Sequence, residues 1–530
     1  DCEELPVPAE EQGMQKLTDE QIIELASYAK KIEAHYGCYM DMEWGVDERD
    51  GKIWILQARP ETVWSRRNKD KKVEKKEDKK PMNNERKVIV KGLPASPGQV
   101  SGKVHVILDP SHIDEFQQGE ILVTEMTAPD WVPAMKKAKA IVTDSGGMTC
   151  HASIVSRELG IPCIVGTKSR GEAATTTIPD GIDVTIDATH GVVYEGIFEE
   201  AKPAQAQQVV AAAAEYFPPT GTKIYMNLGD PELAEKYAQL PCDGIGLMRE
   251  EFIWTTYIHE HPLYLIKTGH PEKVVDQLAE GIRQVCQAMS PRPVTLRFSD
   301  FKSSEYRDLK GGDEFEPYEP SALLGWRGAS RYYDPKYIEA FKLECAAVRK
   351  VREEYGLKNL NVMIPFCRNT DEARKVIGIM AECGLQRGKD FKVWLMAEIP
   401  SNIILADQFN DYVDGYSIGS NDLTMLILGC DRDNDTVSHI YDERNLAVRR
   451  AIRHLIEVAH KAGKTVSICG QAPSVYPEFC EFLIKSGIDS MSVNPDTVKF
   501  TKKLTAQIEQ RILLDSLTGR GRVEAEDLNW

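Results

Sequence analysis

A chain of 530 residues is too long for a single compact core, so two or three domains are expected. Hydrophobic residues make up 42% and charged residues 28%, the balance of an ordinary globular protein, and a net charge of −17 argues against general nucleic-acid binding. The 12 cysteines show no CxxC pair or metal-ligand spacing, and no signal peptide or long apolar run appears, so a membrane role is not expected and a reducing cytoplasm fits best.

The chain opens at Asp1 in a polar segment without a recognisable first element and reads as a fragment or a trimmed chain. Its first predicted element is an amphipathic helix over residues 19–36 (DEQIIELASYAKKIEAHY). MDMEWGVDERDGKIWILQARPET follows as two strands joined by a polar turn at Asp50 and Gly51. Glu43, Gln57 and Arg59 alternate with apolar neighbours there, the pattern of a solvated sheet face, and residues 1–65 are too few for an independent domain. Residues 66–87 (RRNKDKKVEKKEDKKPMNNERK) hold almost no apolar side chain to offset their ordering entropy. Interspersed Asp and Glu make them a solvated tether rather than a nucleic-acid patch.

Over residues 88–200, short β-rich runs (KVHVIL, EILVTE, AIVTD, CIVG, DVTIDA, GVVYEG) alternate with turns and predict a compact α/β domain. Within it lies GGMTCHASIVSRELGIPCIVG, from Gly146 to Gly166. The glycine pair leaves the backbone open to close approach, Thr149 and Cys150 are small, and residues 152–159 read as a helix ended by Gly160 and Pro162. His151 therefore stands at a helix start, where an imidazole can accept a phosphoryl group that faces unpaired N–H groups and the positive end of the dipole. Taken alone, the same histidine also reads as a satisfied residue in a turn. Thr149 reads either as a regulatory position, since a phosphate on it would repel one arriving at His151, or as a helix cap. Residues 201–221, with an alanine-rich helix and Pro218-Pro219, form a second connector, and joints on both sides suit a domain that swings.

Residues 222–515 carry eight short apolar runs between helical patterns (KIYMNLG, DGIGLMRE, PVTLRFSD, NVMIPF, VWLMAE, GYSIGSND, TVSICGQ, DSMSVNP), which is what a (β/α)8 barrel needs, and residues 516–530 are left as a tail. Arg249 ends the second run, Arg297 the third, Glu398 the fifth, Asn421 and Asp422 the sixth and Cys469 the seventh. In such a barrel these positions converge on one mouth. Glu398 and Asp422 suit a Mg²⁺ that completes its octahedron with substrate and water, although each acid alone reads equally as a helix cap or a loop ion pair. A cation held there would act as a Lewis acid on substrate oxygens, and Arg249 and Arg297 could serve as bidentate clamps for carboxylate and phosphate. Arg432 could reach the same anion or make a surface ion pair. Cys469, by composition a buried inert thiol, lies where a proton could pass to or from a methyl carbon.

GIGLMREEF, LRFSDFKSSEY, LLGWRG, MIPF, MAEIPSN, SIGSNDLT, CDRDN, SICGQAPS and GIDSMSVNPD, together with the His151 motif, resemble the phosphoenolpyruvate (PEP)-utilising enzymes over nearly the whole chain. Within that family the pyruvate, water dikinases are most similar. The resemblance implies a multidomain α/β protein, with a swivelling phosphohistidine domain and a C-terminal TIM barrel for PEP and pyruvate. These are preceded by a remnant of an ATP-grasp nucleotide-binding domain, whose last part the DMEW to QARPET stretch resembles. It implies that His151 is the phosphocarrier, that Cys469 is the proton donor or acceptor, and that Glu398 and Asp422 bind Mg²⁺. Arg249, Arg297, Glu398, Gly419, Ser420, Asn421 and Asp422 are implied contacts of pyruvate or PEP, with Arg327 and Arg432 as further anion contacts. Glu43, Gln57 and Arg59 match the acid, amide and arginine that approach nucleotide phosphates and metal.

The implied reaction converts ATP, pyruvate and water into PEP, AMP and phosphate, with this chain retaining the PEP/pyruvate half. A homo-oligomer formed through the barrel is expected. One departure concerns the loop carrying Arg327: Ser321-Ala322 stands where the family usually has Asn-Pro, so a different placement of that loop is open. Two other classes stay open. An Enzyme I-like carrier would pass phosphate to a protein partner, against which the ATP-grasp-like stretch argues, and a non-catalytic assembly scaffold would need none of this chemistry.

Overall fold

A computed structural model describes residues 17–36, 40–46, 52–60, 87–148, 150–198, 216–321, 323–432 and 437–518. The chain divides into two units, Asp1–Glu85 and Arg86–Trp530. In the first, helix α1 (Asp19–Tyr36) begins with Asp19 and Glu20, whose charges suit the positive end of its dipole. Thr18 and Gln21 close its first turn: Thr18 Oγ1 accepts from the Gln21 N–H at 3.3 Å, and Gln21 Oε1 accepts from the Thr18 N–H at 3.0 Å. Strands β1 (Met40–Val46) and β2 (Ile53–Pro60) pair antiparallel, with Glu43 opposite Gln57, Asp41 opposite Arg59 and a bulge between Glu43 and Trp44. Glu43 is exposed, while the side chains of Gln57 and Arg59, the Asp50-Gly51 turn and residues 66–86 lie outside the described residues.

In the second unit the strands β3 (Val88–Lys91), β4 (Leu93–Ser96), β5 (Gln99–Val106), β6 (Ile121–Thr124), β7 (Ala140–Thr143), β8 (Cys163–Val165), β9 (Asp183–Asp187) and β10 (Val192–Glu195) form one sheet. Their order is β3-β10-β9-β5-β6-β7-β8-β4, and β5 to β8 run parallel. The central strands ILVT, AIVT and CIV are buried on both faces, as continuous apolar runs in a parallel sheet must be. Leu122, Ile141, Cys163 and Val165 pack into one core, and Ile121, Val123, Val142 and Ile164 into another on the opposite face. Helix α2 (His151–Leu159) crosses from β7 to β8 and ends at Gly160 in the left-handed region, φ 71°. Residues 199–215 of the second connector lie outside the described residues.

The eight barrel runs become β11 (Lys223–Leu228), β12 (Ile245–Arg249), β13 (Val294–Arg297), β14 (Leu360–Ile364), β15 (Val393–Ala397), β16 (Gly415–Ile418), β17 (Thr465–Ile468) and β18 (Ser490–Val493). They pair parallel in sequence order, and β18 closes on β11. The helices around them include α3 (Glu272–Met289), α4 (Ile338–Glu353), α5 (Thr370–Glu382), α6 (Ser420–Leu428), α7 (Leu446–Lys461), α8 (Pro477–Lys485) and α9 (Val498–Thr518). In α3 the buried Val274, Leu278, Ile282, Val285 and Met289 recur at helical spacing and turn one stripe to the core. Asn369 starts α5 by accepting the Glu372 N–H at 2.9 Å. Among the described residues no helix is long and apolar enough to cross a membrane.

Candidate active site

A parallel barrel delivers the ends of all its strands to one rim, which is why residues far apart in sequence meet here. Arg249 and Arg297 are the last residues of β12 and β13, Glu398 follows β15, Gly419 follows β16, Asn421 and Asp422 open α6, and Cys469 follows β17. With Arg327, Arg432 and His151 they line one cavity of about 400 Å³. Ser420 does not join the lining of this cavity. It is fully buried, and its Oγ donates to the Glu443 carboxylate instead.

His151 is the first residue of α2, with Cys150 as its N-cap. The chain enters the helix through Gly146, whose φ of 103° and close approach to Cys150 Sγ leave no room for a Cβ. Ser153 Oγ donates to the Gly147 carbonyl at 2.7 Å and pins the turn. The imidazole is half-buried, and its Nδ1 lies 2.9 Å from Thr127 Oγ1. Burial, then the charges of Arg249, Arg432 and Lys302, push its pKa down to about 3, so the ring is neutral at neutral pH. Sequence reasoning missed Thr127, which lies 24 residues upstream beyond β6. Thr149 lies outside the described residues, and the capping position belongs to Cys150.

A third acid joins the expected pair. Asp300, Glu398 and Asp422 each place a carboxylate oxygen within 4.8 Å of the others, a donor set that could hold a cation. Burial, with the negative charges of Asp300 and Asp422, raises Glu398 well above the usual carboxylate range. Burial also pulls Asp422 upward, but Arg327, Arg432, Lys302 and Arg297 outweigh it and hold that carboxyl low. The acids in turn orient the arginines. Arg327 donates from Nε (3.0 Å) and Nη2 (2.6 Å) to Asp300, and its Nη2 lies 2.9 Å from Asp422. Arg297 donates to Glu251 at 2.8 Å and lies 3.5 Å from Asp300. Arg327 is thus fixed from below despite the Ser321-Ala322 departure; Ser321 is exposed, and Ala322 lies outside the described residues. The strand-end signal that exposed Arg297 could also have found Asp300, three residues on.

Cys469 packs against Leu247, Met363 and Met396, and burial pushes its thiol up to about 11. Its neighbour Gly470 has no room for a side chain, because a Cβ would meet Ser420 Oγ at 1.7 Å. Gly419 is constrained in the same way, by Glu398 at 2.9 Å. With the Asn421 amide turned so that both of its ends are satisfied, its oxygen accepts from Arg432 Nη1 at 3.0 Å and its nitrogen donates to Glu443 at 3.2 Å. Glu443, which sequence reasoning also missed, is buried, and its pKa is pushed up to about 7.

Residues 203–510 match the family model for the PEP-utilising enzyme PEP-binding domain, residues 116–191 that for the PEP-utilising enzyme mobile domain, and residues 1–80 that for the pyruvate phosphate dikinase AMP/ATP-binding domain. The last match assigns residues 1–80 to the nucleotide-binding domain. Among curated proteins, a "Probable phosphoenolpyruvate synthase" of Staphylothermus marinus is 56% identical over 94% of this chain and 62% of its own length. A "Phosphoenolpyruvate synthase" of Aeropyrum pernix is 51% identical over 95% of this chain and 63% of its own length. One of Synechocystis is 47% identical over 94% and 62%. The chain therefore spans less than two thirds of the length of these relatives.

Proposed function

The chain belongs to the PEP-utilising enzymes, and from that premise we propose that it makes PEP from pyruvate through a phosphohistidine. The overall reaction is ATP, pyruvate and water to AMP, PEP and phosphate, and residues 86–530 carry its PEP/pyruvate half. One observation carries this reading: His151 of the α/β domain opens into the same cavity as Arg249, Arg297, Glu398, Asp422 and Cys469 of the barrel. A phosphoryl group can pass between a histidine and a substrate in that space without leaving it.

The neutral imidazole is the nucleophilic form. If its Nδ1–H donates to Thr127 Oγ1, the Nε2 lone pair is free for the phosphoryl group. Arg249, Arg297 and Arg432 supply the cationic donors that neutralise a transferring phosphoryl group and a carboxylate. Asp300, Glu398 and Asp422 would hold Mg²⁺, which when bound supplies Lewis-acid polarisation of the oxygens of pyruvate. Cys469 rests as a thiol, since its pKa stands at about 11, and so is set to deliver a proton to the methylene carbon when PEP is consumed. PEP synthesis runs the same transfer backwards. The ATP half falls to the domain that residues 1–80 match, with Glu43, Gln57 and Arg59 approaching the nucleotide. That match favours a dikinase over an Enzyme I-like carrier, and the intact barrel mouth disfavours a scaffold.

Incubation with PEP labelled in its phosphoryl group, in the presence of Mg²⁺, tests this directly. The expected product is an acid-labile, base-stable label within residues 88–198. A His151→Asn protein that still takes up label would overturn the assignment.

A further inference from the structure

The arginines of the barrel mouth are not held alike. Arg297 and Arg327 take their orientation from acids of the barrel itself, Glu251, Asp300 and Asp422. Arg249 does not. Among the described residues its ion-pair partner is Glu158, whose Oε1 lies 2.7 Å from Arg249 Nη1. Glu158 belongs to α2, seven residues and about two turns beyond His151.

Glu158 is almost completely buried, at 1% exposure, and neither carboxylate oxygen accepts a hydrogen bond of standard geometry among the described residues, so its contact with Arg249 is an ion pair. A lone buried carboxylate is costly, and Arg249 is the cation that compensates it. Other contacts seat the helix beside it. Arg157 Nε lies 3.0 Å from Asp496 and Arg157 Nη2 donates to the Ser474 carbonyl at 3.2 Å, while Tyr237 donates its hydroxyl to the Glu158 carbonyl at 2.8 Å. Lys136 also pairs with the buried Asp230 at 2.7 Å. None of these contacts reaches the cavity arginines.

We propose that Glu158 is a positioning residue that aligns Arg249 for phosphoryl transfer only while the His151 domain is seated on the barrel. One edge of the guanidinium is taken by Glu158, and its remaining N–H donors face the group passing between substrate and His151. The barrel's cationic set is therefore complete only when the histidine has arrived, which ties docking to catalytic competence. This inference rests on the PEP/pyruvate reading above.

The test follows PEP-dependent labelling of His151 in the whole chain by rapid quench, with deuterium exchange into the pyruvate methyl group as a parallel readout of the barrel alone. Glu158→Gln, nearly isosteric, is expected to slow labelling about tenfold through loss of the buried ion pair that aligns Arg249, while methyl exchange changes less than twofold. Because Glu158 acts through Arg249, the Glu158→Gln/Arg249→Lys double variant should label no more slowly than Arg249→Lys alone. Lys136→Met, which removes a docking ion pair that does not include Arg249, should instead multiply with Arg249→Lys. Wild-type labelling by Glu158→Gln, an effect that multiplies with Arg249→Lys, or an equal loss of methyl exchange would each overturn the proposal. Absence of label on the wild-type chain would instead sink the functional reading beneath it.

Discussion

Replacing Thr127 by valine removes one hydroxyl and little volume from a side chain that is 3% exposed. In the intact protein Thr127 Oγ1 lies 2.9 Å from His151 Nδ1. As an acceptor it holds the proton on Nδ1 and leaves Nε2 unprotonated, the tautomer that can attack phosphorus. A neutral hydrogen bond of this kind contributes about 1 kcal/mol net, which is about fivefold in rate. Loss of tautomer control adds roughly another factor of two, because an unrestrained imidazole then divides between its two neutral forms. Thr127→Val should therefore slow labelling of His151 by PEP about fivefold to tenfold, and Thr127→Ser, which keeps the hydroxyl, should stay near wild type. The initial rate of acid-labile label gives the first number, and ¹⁵N shifts of the imidazole report the tautomer. A valine protein within twofold of wild type, or a serine protein as slow as valine, would refute the argument.

Cys469→Ala should retain pyruvate and Mg²⁺ binding but lose deuterium exchange into the pyruvate methyl group; normal exchange would remove the thiol from the mechanism. Gly470→Ala drives a methyl group to 1.7 Å from Ser420 Oγ, so the strand end must shift. Overpacking of this kind costs about 1–3 kcal/mol, and a denaturation midpoint equal to wild type would contradict it. The His151 ring should hold its neutral NMR shifts from pH 7 to below 5, because burial and three nearby cations keep its pKa at about 3. The sign follows from linkage: in the unfolded chain the ring protonates near its ordinary value of about 6.5, so the stability tied to the neutral form is complete above that pH. It drains away as pH falls from there toward the folded value. A titration midpoint between 6 and 7 would show the ring to be unperturbed.

The barrel was legible because each strand leaves an apolar run of fixed phase, and because a parallel barrel turns strand ends into site positions without further information. Arg249, Arg297, Glu398 and Cys469 could be found on that ground alone. The helix start at His151 was legible from a glycine pair before it and a helix ended by Gly160 after it, whereas the phosphocarrier role was implied by the resemblance of that motif. What stayed hidden depends on long-range contact. Thr127 reaches His151 only because β6 and β7 are adjacent in the sheet, so that loops 24 residues apart meet. Nothing local to Glu158 announces that its partner lies on another domain, 91 residues away at Arg249. The surroundings of Ser420 were hidden for a different reason. Adjacent residues at a helix start point in different directions, so Asn421 and Asp422 face the cavity while Ser420 turns to Glu443.

The central claim is that His151 and the barrel mouth work as one phosphoryl relay. Mixing carbon-labelled pyruvate with unlabelled PEP and Mg²⁺ measures it most directly, because label can enter PEP only if the phosphoryl group leaves one molecule, waits on the protein and returns to another. The account predicts that wild-type protein moves label into PEP and that His151→Asn does not. Exchange persisting in His151→Asn, or absent from a wild-type protein that binds both substrates, would contradict it.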